Sequence, residues 1–160
     1  MEESRPTPLS PRELDALAQA RVIYLATVRK DGTQSRAAPM WFTVTPPGEI
    51  LIQSGPQSWH SRRIRRGSPV IVWIGRQRRI AFIGKAEPTD DPLMVAQIIS
   101  DYPKKYWMAR FGWHRPGQAS FEKRERLAIK IIAIERLPVG FSSQPGALVP
   151  SIAGRPSNPG

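Results

Sequence analysis

The 160-residue chain contains no cysteine and only two histidines, His60 and His114. The absence of cysteine excludes a disulfide scaffold, a Cys-ligated zinc or iron–sulfur site and a thiol nucleophile. Two histidines are too few for a metal site built from several imidazoles. We therefore predict no metal site.

Long apolar runs are also missing. The uninterrupted apolar stretches are short, as at Val70 to Ile74, so none of them can span a membrane. The first ten residues, MEESRPTPLS, are acidic and proline-rich and lack the basic start and apolar stretch of a secretory signal. We expect a cytoplasmic protein.

The sequence lacks three common nucleotide-binding and catalytic motifs. The 12 glycines never fall as G-x-G, and neither G-K-[ST] nor G-x-S-x-G occurs. This excludes a dinucleotide fingerprint, a P-loop and a nucleophile elbow. If the protein is an enzyme, a cofactor is therefore expected to supply its reactivity.

The chain is strongly basic but can still form a core. It has 24 Lys and Arg against 13 Asp and Glu, a formal net charge of +11, and 40% hydrophobic residues. Proline is frequent at both ends, and residues 138–160 are also rich in glycine and serine. We predict one folded domain over residues 12–137, a disordered arm over 1–11 and a flexible Pro/Gly/Ser-rich tail over 138–160.

The folded part has the pattern of an antiparallel β-protein with short helices. A first helix follows the capping box Ser10-Pro11-Arg12-Glu13, with Leu14, Leu17 and Ala18 as its apolar face. Asp31-Gly32 predicts a hairpin turn. Six strands are predicted at 22–28, 34–45, 50–54, 70–74, 80–86 and 127–134, with further helices at 58–66 and 92–101. The fold class is mainly β (α+β): a small antiparallel barrel whose ends are covered by helices.

One stretch of the sequence concentrates the positive charge. Residues 50–86 contain no acidic residue and eight Lys or Arg. Within it, a strand ends at Ser54, a Gly-Pro turn follows, and a helix begins at Ser58 ahead of Arg62 and Arg63. Hydroxyl groups, backbone N–H groups and cations converge there, which favours a phosphate site. A capped, solvated basic helix is the alternative interpretation.

The order of these motifs resembles a known family. A K-D-G hairpin, a return strand with P-M-W-F, the segment I-L-I-Q-S-G-P-Q-S before a basic helix, and R-I-A-F-I-G-K-A-E after P-V-I-V-W-I are similar to the pyridoxamine 5′-phosphate oxidase-like FMN-binding split barrels. This resemblance implies a six-stranded split β-barrel, a homodimer with the cofactor at the subunit interface, and hydride transfer through flavin N5 to or from a small molecule.

The resemblance also implies the cofactor-binding residues. The strand-end and helix-start hydroxyls that bind phosphate correspond to Ser54 and Ser58, and Trp59 and His60 stand where a basic pair usually follows. Arg62 or Arg63 would supply fixed charge, and Arg79 stands at a position that is usually Gln. The family's arginine and ring-contacting strand correspond to Arg36 and to residues 37–41. The predicted cofactor-binding set is Arg36, Ala38, Pro39, Met40, Trp41, Gln53, Ser54, Ser58, Trp59, His60, Arg62, Arg63 and Arg79.

Several functions stay open at this point. FMN is the first cofactor and the deazaflavin F420 the alternative, since a basic groove suits the anionic tail of F420 too. A small basic barrel with aromatic residues also fits a single-stranded nucleic-acid module. Another alternative is a carrier or sensor that binds flavin or a tetrapyrrole without turnover. For Trp41, Tyr102, Tyr106, Trp107, Phe111 and Trp113, core packing is the simpler alternative to a ligand pocket.

Overall fold

The structure is a computed structural model that describes residues 8–106, 126–146 and 148–149. Its described residues form three helices and seven strands. The helices are α1 (Pro11–Gln19), α2 (Trp59–Arg65) and α3 (Pro92–Lys105). The strands are β1 (Ile23–Thr27), β2 (Ala38–Met40), β3 (Thr43–Val44), β4 (Ile50–Ser54), β5 (Val70–Ile74), β6 (Ile80–Pro88) and β7 (Leu127–Arg136).

All strand pairs are antiparallel, and they follow the order β2-β1-β5-β6-β7-β4-β3. The two edge strands, β2 and β3, are consecutive in the chain and are separated only by Trp41 and Phe42. One short segment therefore joins both edges of the curled sheet, which gives a half-closed antiparallel barrel. The predicted split-barrel fold is confirmed.

The predicted strand count of six was too low, because the segment expected as one strand over 34–45 is divided. At its centre, the backbone N–H of Phe42 donates to the hydroxyl of Tyr106 (3.0 Å), and that hydroxyl donates to the Arg21 carbonyl (2.8 Å). The Tyr102 hydroxyl binds the Trp41 carbonyl (2.9 Å). Tyr102 of α3 and Tyr106, which follows the helix, thus form hydrogen bonds with backbone groups that would otherwise pair with a neighbouring strand.

Local signals fix the helix starts and the first turn. Ser10 Oγ accepts from the Glu13 N–H and the Glu13 carboxylate accepts from the Ser10 N–H, so the capping box is complete. Gly32 in the hairpin turn has a φ of 86°, a conformation that glycine tolerates. The predicted apolar face of α1 is corrected in part: Leu17 is buried and Ala16 packs beside it, but Leu14 and Ala18 are exposed.

Two helices contribute to the core inside the curled sheet. Leu17 of α1 and Ile64 of α2 pack with inward residues of the strands such as Leu25, Val72 and Phe82. On the outer face, α3 covers Leu51 and Ala128 through its buried Val95, Ile98 and Tyr102. This arrangement holds α2 against β1 and β6, which positions the functional region described below.

Part of the segment predicted as a tail lies along the sheet. Trp73 Nε1 donates to the Phe141 carbonyl (2.9 Å), and Gln34 Nε2 donates to the carbonyls of Ser142 (2.9 Å) and Gln144 (2.5 Å). Residues 150–160 of that predicted tail, residues 1–7 of the predicted arm, and residues 107–125, including Trp107, Phe111, Trp113 and His114, lie outside the described residues. The domain limits stay a prediction. Among the described helices, none is long and apolar enough to cross a membrane.

Candidate functional site

Three serine hydroxyls form a continuous chain where β4 leads into α2. Ser54 Oγ lies 2.9 Å from Ser58 Oγ, and Ser58 Oγ lies 3.0 Å from Ser61 Oγ. Ser58 is the N-cap of α2 and accepts a hydrogen bond from the Ser61 N–H (3.1 Å). The cap therefore fixes the serine positions, because N-cap geometry holds the side chain over the first turn of the helix.

Arg63 extends the site from α2 to the first strand. Its Nη1 donates to Thr27 Oγ1 (3.2 Å), and Thr27 Oγ1 in turn donates to Ser35 Oγ (3.2 Å). Thr27 and Ser35 are buried, whereas Arg63 is half-buried. We call Ser54, Ser58, Ser61 and Arg63 the serine–arginine cluster, because the serines share hydrogen bonds at the start of α2 and Arg63 follows them on that helix.

His60 and Trp59 stand beside this cluster in the first turn of α2. Burial, and then the positive charge of Arg63, lower the pKa of His60 below its usual 6.5. The Trp59 side chain is 67% exposed, and the guanidinium carbons of Arg62 and Arg63 each lie 5.4 Å from its ring centroid. An exposed indole beside two cations offers a flat surface for a ring-shaped ligand.

The donor set fits a bound anion such as a phosphate group. Hydroxyls donate to phosphate oxygens, a half-buried guanidinium provides a fixed charge, and His60 can become a donor on both ring nitrogens when it is protonated. No carboxylate contacts any member of the serine–arginine cluster among the described residues. This end of the molecule is therefore suited to bind negative charge.

The predicted residues of the return strand lie next to the cluster. The Ser35 N–H donates to the Thr27 carbonyl (2.9 Å), so Arg36 directly follows a hydrogen-bond partner of Thr27, the residue that Arg63 contacts. Arg36 is exposed. Ala38, Pro39 and Met40 form the edge strand β2, opposite Leu25, Tyr24 and Ile23. β2 therefore starts at the same end of the sheet as Thr27, the residue that Arg63 contacts.

Trp41 and Gln53 lie on a different face. The Trp41 ring stacks on Tyr106 at a centroid distance of 4.2 Å and an interplanar angle of 4°, and it meets Tyr102 edge-on. Gln53 alternates with Ser54 along β4, so it shares the α3 face with Leu51. Trp41 thus packs against Tyr102 of α3 and against Tyr106, which follows the helix.

Arg79 lies at the far end of the sheet from the serine–arginine cluster. In the strand register, Thr27 is opposite Val70, whereas Ile80, which follows Arg79, is opposite Ile74. The length of β5 separates the two ends by about 13 Å. A single chain therefore does not bring Arg79 to the cluster.

The structure adds three residues that the sequence interpretation missed. Ser61 follows Ser58 at the spacing of a capped first turn, a signal that could have identified it. Thr27 and Ser35 come from the first hairpin and meet Arg63 only because α2 packs on β1. No local pattern in the sequence indicates that contact.

Comparison with known proteins identifies the fold and family of this arrangement. A family model described as pyridoxamine 5′-phosphate oxidase matches residues 9–137, nearly all of the described β-sheet and its helices. No curated protein matches the chain.

Solved structures share the fold at low sequence identity. A candidate pyridoxamine 5′-phosphate oxidase from Listeria innocua has a TM-score of 0.60 at 21% identity, covering 79% of this chain and 94% of its own. A conserved hypothetical protein from Mycobacterium tuberculosis has a TM-score of 0.57 at 20% identity (85% and 87% covered). An FAD-binding protein from Mesorhizobium loti has a TM-score of 0.53 at 20% identity (79% and 91% covered).

Proposed function

Since the chain belongs to the pyridoxamine 5′-phosphate oxidase family, we propose that it is a flavin-dependent oxidoreductase acting on a small molecule. The observation that carries the proposal is the serine–arginine cluster, in which three serine hydroxyls are linked by hydrogen bonds at the start of α2 and Arg63 follows them on the same helix. The similarity to an FAD-binding protein supports the same cofactor class.

The cluster would hold the cofactor phosphate. Ser54 and Ser58 would donate their hydroxyl hydrogens to phosphate oxygens, which would replace part of their mutual hydrogen bonding. Arg63, already oriented by Thr27, would provide fixed positive charge. Arg62 and His60 would add donors from the same helix, so that binding energy concentrates on the phosphate.

The return strand and Trp59 would hold the ring system. Arg36 and β2 would face one edge of it, and the exposed Trp59 indole would cover the approach from α2. When bound, the flavin supplies hydride transfer through its N5 atom. The residues of this chain would bind and orient the flavin and exclude water from it. No side chain need act as an acid or a base.

FMN is the proposed cofactor and F420 the alternative. Both carry a phosphate that the cluster can bind, and F420 has a longer anionic tail that would reach the exposed arginines of α2, Arg62 and Arg65. The net charge of +11 suits either ligand.

A homodimer with the cofactor at the interface would complete the site. Arg79 belongs to the predicted set but lies at the opposite end of the sheet from the cluster. A second copy of the chain can bring its own Arg79 to the ligand, whereas the same chain cannot. The exposed Trp59 would be covered in such an assembly.

A comparison of FMN with riboflavin tests phosphate binding directly. The two ligands share the ring and differ by the phosphate, so fluorescence titrations should give a tighter dissociation constant for FMN. Arg63→Gln should weaken FMN binding about tenfold, because a charge-assisted hydrogen bond is lost, and should leave riboflavin binding nearly unchanged.

The matched control removes a charge from the same helix without touching the cluster. Arg66 is exposed and follows α2 as its C-cap, so Arg66→Gln should change FMN binding little. Equal affinities of the unaltered chain for FMN and riboflavin would refute the phosphate site. Equal losses in both variants would refute the specific role of Arg63.

A further inference from the structure

A groove of about 500 Å³ lies at the end of the barrel away from the serine–arginine cluster. Its walls are the start of α1, the start of β6 and the turn after β7. That turn is held to β6 by hydrogen bonds from the Leu137 N–H to the Ala81 carbonyl (3.0 Å) and from the Gly140 N–H to the Arg79 carbonyl (3.1 Å). A volume of this size lies within the range of small-molecule sites.

The floor of the groove is apolar and one side of it is open. Ile80, Ala81 and Leu137 line it, together with Pro8 and Val139. Val139 is 81% exposed, which leaves an apolar side chain facing solvent at the rim. An apolar molecule that covered Val139 would remove this surface from water.

Three arginines surround that apolar floor, and only one of them is neutralised. Arg136 forms an ion pair with Glu13 through its Nε (2.5 Å) and Nη2 (2.8 Å). Arg12 and Arg79 also line the groove, are exposed, and face no carboxylate there other than Glu13 among the described residues. The excess positive charge selects for an anionic ligand.

Two details of the arginines indicate unused binding capacity. The Nη1 atom of Arg136 is buried and has no hydrogen-bond partner among the described residues, an arrangement that is costly unless an acceptor is supplied. Arg12 lies in the first turn of α1, where the helix dipole disfavours a cation. A bound anion would compensate both.

We propose that this groove binds a small organic acid with an apolar body. The acid group would lie between Arg12 and Arg79 with Arg136 as an additional donor, and the apolar body would lie along Ile80, Leu137 and Val139. The groove is separate from the serine–arginine cluster of the same chain.

Calorimetric titration with decanoate tests the site, with decanol as the neutral probe of the same chain length. Decanoate should bind at one site per chain and more tightly than decanol, and binding should weaken as salt rises. Arg12→Gln should weaken decanoate binding about threefold, as expected for an exposed charge pair. Val139→Asp should weaken it more, because it replaces apolar contact with a negative charge.

The control variant is Arg76→Gln, which removes an exposed arginine three residues from Arg79 and outside the groove. It should leave decanoate affinity unchanged, and Arg12→Gln should leave FMN titrations unchanged. Absence of saturable binding, equal binding of decanol, or equal losses in Arg12→Gln and Arg76→Gln would overturn the proposal.

Discussion

His60 is the residue whose protonation should report on the proposed phosphate site. In the free protein its pKa is below the usual 6.5, first because of burial and then because of the charge of Arg63. Protonation is thus disfavoured in the folded chain. This contribution to stability is present above pH 6.5, and it is lost as the pH falls through the lower folded-state pKa.

A phosphate group beside His60 should reverse this shift. Because a nearby anion favours the imidazolium, the pKa of His60 rises on binding, and FMN affinity should increase as the pH is lowered from 8 to about 6.5. A rise of one pKa unit corresponds to about tenfold in affinity. Titrations of FMN across this range, with the His60 ring followed by NMR, measure both quantities.

Two comparisons isolate the effect of the imidazole. Riboflavin has no phosphate, so its affinity should be independent of pH over the same range. His60→Gln should flatten the FMN profile while keeping a neutral polar side chain on the helix. The same slope in His60→Gln as in the unaltered chain would assign the pH dependence to another group.

At the scale of elements, the sequence predicted the parts whose determinants are local. The capping box of α1, the Asp31-Gly32 turn and the alternation of apolar residues in β4 and β5 depend on neighbours in the chain. The division of the segment 34–45 into β2 and β3 depends on Tyr102 and Tyr106, which contact it across about sixty residues of sequence. Such hydrogen bonds leave no periodic signal.

The candidate site also combines residues with local sequence signals and residues that are placed only by tertiary packing. Ser54 and Ser58 could be predicted because a strand end and a helix cap lie four residues apart. The contact of Arg63 with Thr27 required the packing of α2 on β1. Trp41 and Gln53 are close to Arg36 or Ser54 in sequence, but the side-chain alternation of strands and the strand division place them on the α3 face.

The hydrogen bonds that Tyr106 makes between β2 and β3 should contribute to the stability of the fold. The Tyr106 hydroxyl is buried, its pKa is raised to about 12, and it bonds the N–H of Phe42 and the carbonyl of Arg21. Tyr106→Phe leaves the Phe42 N–H without its acceptor and should lower the free energy of unfolding by about 1–3 kcal/mol. Urea denaturation should show a lower midpoint with an unchanged m-value.

Tyr24→Phe is the matched control for that experiment. Tyr24 is half-buried beneath the guanidinium of Arg78, and none of its described contacts is a hydrogen bond of its hydroxyl. Removing the Tyr24 hydroxyl should therefore change the urea midpoint of unfolding much less than Tyr106→Phe does. Equal midpoints for the two variants would mean that the Tyr106 hydroxyl does not stabilise the joint between β2 and β3.

At the scale of the whole molecule, the proposed site requires a second copy of the chain. Light scattering coupled to size-exclusion chromatography should give twice the chain mass of 18.0 kDa. Mixing Arg79→Gln with Arg63→Gln chains should restore some FMN sites, because every dimer with one chain of each variant carries one site with both arginines intact. A monomeric mass, or no recovery on mixing, would contradict a shared site.

The most direct test of the proposed function is the absorption spectrum of the freshly purified protein, followed by mass identification of the small molecule that acid releases. We predict a flavin spectrum with FMN released, and release of F420 would assign the protein to the deazaflavin alternative. A colourless protein that also fails to bind added FMN or F420 would contradict the assignment of the serine–arginine cluster as a cofactor site.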